Sequence, residues 1–597
     1  MQTVKKREEI DSKYKWQLED IYADNQLWEE DLNKVSDLFR QITAYSGKLG
    51  ESASTLYQAL TERDAMDALA EKLFVYARMR RDEDNANSTY QSMVERCGNV
   101  FTQMFAATAF FLPELTAISA ETLEAYMKEE PGLEVYRFTF EKIQHNKEHI
   151  LSQEEEVLLA QAGEITDAAH DIFNMFNDAD IRFDNVKDEE GNEITLTKGR
   201  YIAFLESKDR QVRKDAFDTL YKSYEAMRNT LGAMYVANIK SDKFVSTVRK
   251  YNSSLEASLF GNNIDIAVYD NLIATVNANL PKMDDYLAVR KRALGLDEIH
   301  MYDLYVPMVS EIEKKYTFEE AKEIVLKAFA PLGEQYVADV KDAFESGWID
   351  VYENEGKTGG AYSWGSYLTH PYVLLNFSGT TDSVFTLAHE MGHAMHSYYS
   401  HKKQHYTNAQ YTLFVAEVAS TVNESLLIQY LLQNTTDPKE RAYLLNHYLE
   451  EFRGTVFRQT MFAEFEKIVH GKAAAGEALT TDTLCEIYYG LNEKYFGRQV
   501  NVDKTIAIEW ARIPHFYRSF YVYQYATGFS AATALSTAIL NEGTPAVERY
   551  LEFLASGGSK YPLDQLKDAG VDLSTPAAVE AGLERFGEMV KELNTLV

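Results

Sequence analysis

Between residue 16 and about residue 118, apolar residues recur at three- and four-residue spacing among charged ones, as in Leu32, Val35, Leu38, Phe39 and Ile42. That spacing gathers apolar side chains on one helix face and predicts long amphipathic helices. Leu73, Tyr76, Ala77 and Met79 continue the pattern, and the charges at 82 to 84 read as a solvated face without chemistry. Leu112-Pro113-Glu114 and Glu130-Pro131-Gly132 punctuate the series, and helix resumes over 154–165. Residues 180–183 and 193–197 alternate on either side of an acidic Gly191-Asn192 turn, which predicts a β-hairpin. Helical patterns return over 201–248 and 318–329, and no fixed repeat indicates a solenoid.

The pattern changes between 347 and 382, where short alternating runs and glycines replace helix. A small sheet is expected there, with Gly359 and Gly360 allowing a peptide backbone to approach and pair with an edge strand. Ordinary turn geometry accounts for the same glycines, so both readings stand at this point. His370, before Pro371, reads as a loop residue.

Composition narrows the class. The 597 residues are 45% hydrophobic and 25% charged with only 11 Pro, as in ordinary folded proteins. A net charge of −32, from 92 acidic and 60 basic residues, disfavours nucleic acid and anionic membrane as partners. Cys97 and Cys485 are the only cysteines, which leaves no disulfide framework and no cysteine-based zinc site. The charged N-terminus lacks a signal-peptide run and no window approaches twenty apolar residues, so a cytoplasmic location is expected.

The candidate chemistry lies at 386–396, Thr-Leu-Ala-His-Glu-Met-Gly-His-Ala-Met-His. His389 and His393, four apart on a helix, can converge on one Zn²⁺ while Glu390 reaches an activated water. Chance gives about 0.03 such matches in a chain of this length, so context decides. The flanking Val384, Phe385, Leu387, Ala388, Met391, Ala394 and Met395 are those of a buried helix. A metzincin third ligand is absent, because residue 399 is Tyr. His396 lies about 10 Å along the helix axis from His389 and reads as packing. His401 and His405 are expected beyond the helix end. Downstream, Glu417 and Glu424 sit two turns apart on one face of an apolar, small-residue helix. The first can ligate zinc and the second can orient a ligating imidazole.

These blocks resemble the thimet oligopeptidase and oligoendopeptidase F group of zinc metallopeptidases, the oligoendopeptidase F branch most of all. Residues 389–393 resemble its zinc helix, 414–424 its third-ligand helix, 357–362 its substrate strand, and 512–528 its C-terminal active-site segment. The resemblance implies a mainly α, two-lobed metallopeptidase with a small β-sheet beside the zinc helix and a deep central channel that admits short peptides. It implies one Zn²⁺ per chain on His389, His393 and Glu417, with Glu390 as general base and Glu424 behind a ligand. His515 and Tyr525, then Tyr521, become the oxyanion donors, and the remaining tyrosines are packing. Gly359, Gly360 and Tyr362 become substrate contacts. Domains are expected at 1–115, 116–200 (helical, ending in the hairpin) and 201–597 (catalytic). The activity expected is zinc-dependent cleavage of internal bonds in oligopeptides; the alternatives are a zinc exopeptidase and a non-enzymatic peptide-binding protein with a structural metal.

Overall fold

The computed structural model describes residues 4–309 and 314–597. It is 72% helical with a few small sheets, as the dominant helical spacing predicts. The chain divides into two compact units, each assembled from three stretches of sequence.

The first unit contains Met1–Lys147, Lys314–Leu431 and Ala532–Val571. Its N-terminal helix Asn25–Ile42 starts at Asp24, whose carboxylate accepts the N–H groups of Gln26 and Leu27, and it buries Trp28, Leu32, Val35, Phe39 and Ile42. Helices Ala53–Glu83 and Ser88–Thr108 complete this layer, and the Trp28 indole donates to the Leu73 carbonyl at 2.9 Å. Tyr372 and Leu374 belong to the same core, so the layer packs on a sheet. That sheet has Tyr372–Leu374 at its centre, parallel to Ile349–Asp350 and antiparallel to Tyr362–Trp364. Strand Tyr362–Trp364 is therefore an edge.

The charges at 82 and 83 do not form a solvated face. Asp82 and Glu83 are buried, and the hydroxyls of Tyr362 and Thr358 donate to Asp82 at 2.9 and 3.1 Å. Glu83 accepts from the Trp16 indole and from Arg7, each at 2.7 Å. Both acids sit where the helix meets the sheet and are satisfied there, as buried carboxylates must be. Lys357 ties the sheet from within, its Nζ 2.7 Å from Asp350 Oδ1 and donating to the carbonyls of Tyr352 and Leu375.

The second unit contains Glu148–Glu313, Leu432–Ala531 and Asp572–Val597. Helices Arg210–Ala226, Arg228–Val248, Pro438–Phe452, Gln459–Ala474, Thr481–Phe496 and Ala577–Leu593 enclose an aromatic core that includes Phe452, Phe457, Tyr488, Trp510 and Phe586. The hairpin forms with Val186 opposite Ile194, and Gly191 turns it at φ +82°. Its first strand is Asn185–Lys187 rather than 180–183, because helical turns continue to Asp180.

Among the described residues no single helix is long and apolar enough to cross a membrane. Ser88–Ala117 and Ala120–Glu129 meet the length and apolarity of a span only as a pair, and they are bent by 104° at the break between them.

Candidate active site

Helix Thr381–Lys403 begins where the Thr380 side chain accepts the Ser383 N–H, and it is anchored by buried Val384, Leu387, Ala388, Met391, Ala394 and Met395. The anchoring face leaves His389 and His393 partly exposed. The helix extends past 401, so His401 lies in its last turns rather than beyond its end. His396 is buried and stacked on Tyr411 with ring centroids 3.6 Å apart, which is the packing role expected of it.

The second helix, Leu413–Asn434, carries Glu417 and Glu424. It approaches closely because residue 392 is glycine: a Cβ there would lie 2.5 Å from Ser420 Cα and 2.8 Å from the Ala419 carbonyl oxygen. Asn423 clasps the pair by donating to the Ala388 carbonyl at 3.2 Å, and it accepts from the Tyr336 hydroxyl at 3.2 Å.

The result is a convergence of donor atoms. His389 Nε2 and His393 Nε2 are 3.2 Å apart, and each is 3.4 Å from Glu417 Oε2. These three residues form a group able to hold a metal ion. His389 turns its other nitrogen, Nδ1, to Glu424 Oε1 at 3.0 Å. Burial opposes protonation of His389, but Glu417 and Glu424 outweigh it and raise its pKa to about 11. The two imidazoles in turn hold Glu417 well below the usual carboxylate range. A set of nitrogens and oxygens whose field so favours positive charge, with no cysteine, fits a borderline divalent cation such as zinc.

Glu390 lies beside this set and is 7% exposed. Burial pushes its carboxyl up, opposed by His389 and His393. Its Oε2 is buried without a hydrogen-bond partner among the described residues, a condition tolerated at sites where a group waits for a ligand or a proton.

A groove of about 260 Å³ runs beside the helix, lined by Gly360, Ala361, Asn376, Asp382 and Thr386 among others. Gly360 has φ +81°, which calls for glycine, and its carbonyl accepts from Asn376 Nδ2 at 2.8 Å. Gly359 is not in the left-handed region and has open space where a Cβ would point. The Tyr362 hydroxyl is engaged by Asp82, and its backbone lies opposite Leu374 in the sheet.

The segment 515–525 belongs to the second unit. His515 Nε2 and the Tyr525 hydroxyl are 3.3 Å apart, and Tyr521 stacks parallel to His515 with centroids 6.1 Å apart. Burial, followed by Arg518, lowers the His515 pKa and keeps its imidazole neutral. Tyr517 stacks on Phe173 and Tyr523 is buried against Tyr269, so both pack. Phe520, at φ +61°, donates its N–H to Glu466 Oε1 at 2.8 Å, and the Ser519 hydroxyl donates to Asp242 at 2.7 Å. Sequence reasoning missed Glu466, Asp242, Gly392 and Asn423. The available signal for Glu466 was an acid among Phe462, Phe465 and Val469 at helical spacing.

Comparison with known proteins agrees with this geometry. Residues 203–585 match the family described as Peptidase family M3, and residues 114–183 match Oligopeptidase F. The chain is 48% identical over 591 residues to Oligopeptidase PepF of Bacillus subtilis (strain 168), covering 99% of this chain and 88% of that protein. It is 40% identical to Group B oligopeptidase PepB of Streptococcus agalactiae serotype III (strain NEM316), covering 99% and 98%. The crystal structure of oligoendopeptidase-F from Enterococcus faecium superposes with a TM-score of 0.74 at 40% identity, covering 96% of this chain and 99% of that one. A mainly helical fold with this His-Glu-x-x-His helix is that of a metallopeptidase, and the matches define an enzyme of the oligopeptidase class. The chain belongs to peptidase family M3, among the oligoendopeptidase F proteins.

Proposed function

We propose that this enzyme is a zinc-dependent endopeptidase that cleaves internal bonds of short oligopeptides. The observation that carries the reading is the convergence of His389 Nε2, His393 Nε2 and Glu417 Oε2 beside the unpartnered Oε2 of Glu390. Zinc held by those three residues would supply a Lewis acid that lowers the pKa of water toward neutrality and polarises the scissile carbonyl.

The protein's own groups do the rest. Glu390, as carboxylate, takes the proton from the water whose oxygen attacks the carbonyl carbon, then gives it to the amine nitrogen as the C–N bond breaks. Glu424 accepts from His389 Nδ1–H, which fixes the tautomer and leaves the Nε2 lone pair for the metal. His515 and Tyr525 form a donor pair for the developing oxyanion, and Tyr521 holds the imidazole plane. The substrate backbone pairs with edge strand Tyr362–Trp364, next to the turn at Gly359 and Gly360. Cys97 and Cys485, both buried and unbridged, support the expected cytoplasmic setting.

End-blocked peptides of increasing length, incubated with and without a chelator and mapped by mass spectrometry, test this reading. Internal cleavage that chelator abolishes and zinc restores is expected. Cleavage only of peptides with a free terminus would identify an exopeptidase. Metal content without any cleavage would identify a structural site.

A further inference from the structure

The second unit concentrates arginine in its interior, against the trend of a chain whose net charge is −32. Arg213, Arg290, Arg453, Arg458 and Arg512 have side chains 4, 1, 5, 16 and 22% exposed. Three acids face them. Asp303 pairs with Arg213, Glu450 with Arg290 and Arg453, and Glu509 with Arg458 and Arg512. Arg213, Arg290 and Arg453 are buried and Arg458 and Arg512 partly buried, so five cations face three anions with a surplus of two, and a sixth arginine, Arg210, adds to it from a more exposed position at Asp303. A buried charge without a counter-charge is strongly unfavourable.

Glu509 has no capacity left for the surplus. Its two oxygens already accept from Arg458 and Arg512 and from the hydroxyls of Tyr221 and Tyr488, at 2.7, 2.8, 2.9 and 2.6 Å. Among these groups lies a narrow cavity of about 20 Å³, lined by Arg453, Arg458, Arg512, Tyr305 and the already saturated Glu509, with apolar side chains such as Phe217 and Phe496. That volume admits one water-sized occupant and excludes sulfate or phosphate. The Arg453 guanidinium sits 5.0 Å above the Tyr305 ring. Burial would raise the Tyr305 phenol, but Arg458 and Arg453 pull it below its usual value, which reports the positive potential at this spot.

We propose that this cavity is a structural site for one small monoatomic anion, chloride under ordinary conditions, held by Arg453, Arg458 and Arg512. The ion supplies the missing counter-charge and stabilises the second unit. The assignment is independent of the peptidase mechanism, since none of these side chains has a role in it, although Arg512 opens the 512–528 segment.

Two measurements on the full chain test it together. Crystals grown with bromide in place of chloride should show an anomalous peak between Arg453 and Arg458. In solution, replacing gluconate by chloride at constant ionic strength should raise the unfolding midpoint by about 1–2 °C for each tenfold in chloride above the dissociation constant. Arg458→Gln should abolish that rise, whereas Lys222→Gln, at an exposed ion pair of the same unit, should keep it. Water in the cavity of bromide-grown crystals overturns the proposal. So do equal midpoints in the two salts. An anomalous peak without chloride-dependent stabilisation identifies an adventitious ion only and overturns it as well.

Discussion

Gly392→Ala probes how the metal-binding geometry is set, through a residue that touches no substrate. The added Cβ would stand 2.5 Å from Ser420 Cα, 2.8 Å from the Ala419 carbonyl oxygen and 2.8 Å from Ser420 N. All three are backbone atoms, so no side-chain rotation relieves the contact. A carbon–carbon contact needs about 3.5 Å, and the two helices must therefore part by about 1 Å. Glu417 rides on the displaced helix one turn before Ser420, whereas metal–ligand distances tolerate only about 0.2 Å. Overpacking of this kind costs about 1–3 kcal/mol, which lowers the unfolding midpoint without unfolding a protein of this size. Zinc affinity and kcat/KM should each fall by about 100-fold, the penalty associated with a 1 Å misplacement in an active site. Zinc retained after dialysis against graded chelator gives the first quantity, and an end-blocked fluorogenic peptide gives the second. Wild-type zinc retention and wild-type kcat/KM in a folded Gly392→Ala protein would refute the argument that close helix approach places Glu417.

Glu424→Gln should weaken zinc about 10- to 100-fold, seen by chelator competition, because the His389 Nδ1–H loses its carboxylate. Tyr525→Phe should lower kcat more than it raises KM; the reverse split would make Tyr525 a binding residue. Glu466→Ala should also act on kcat, by releasing the Phe520 N–H that holds the 515–525 segment, with Glu466→Gln recovering most of the loss. Asp64, held at about 6 by burial, predicts a pH dependence of stability. Its unfolded value is about 3.9, so the folded state binds the extra proton between those limits, and stability falls as pH rises from about 4 to 6 and then levels. Asp64→Asn should lack that component; parallel unfolding midpoints for the two proteins from pH 4.5 to 7 would contradict it.

The parts of the site legible in the sequence were those written by local spacing. His389 and His393 four apart, with Glu390 between them, specify a helix face by themselves, and the apolar run around Glu417 and Glu424 marks acids with buried neighbours. What escaped depends on partners far along the chain. The charges at 82 and 83 look solvated until Tyr362, Arg7 and Trp16 fold against them. Gly392 reads as one helix residue among others until a second helix lies on it. Likewise, units assembled from three separated stretches leave no local trace, because helical periodicity says which face is buried and not against what. The hairpin was legible in kind but shifted along its first strand, since helix and strand signals overlap where helical turns run on to Asp180.

The central claim, that a cation held by His389, His393 and Glu417 works with Glu390 as the proton carrier, is tested most directly by Glu390→Gln. Zinc content and kcat should be measured on one preparation of that variant. One zinc per chain with turnover reduced by at least about 1,000-fold is the predicted result. Wild-type turnover with zinc bound would contradict it.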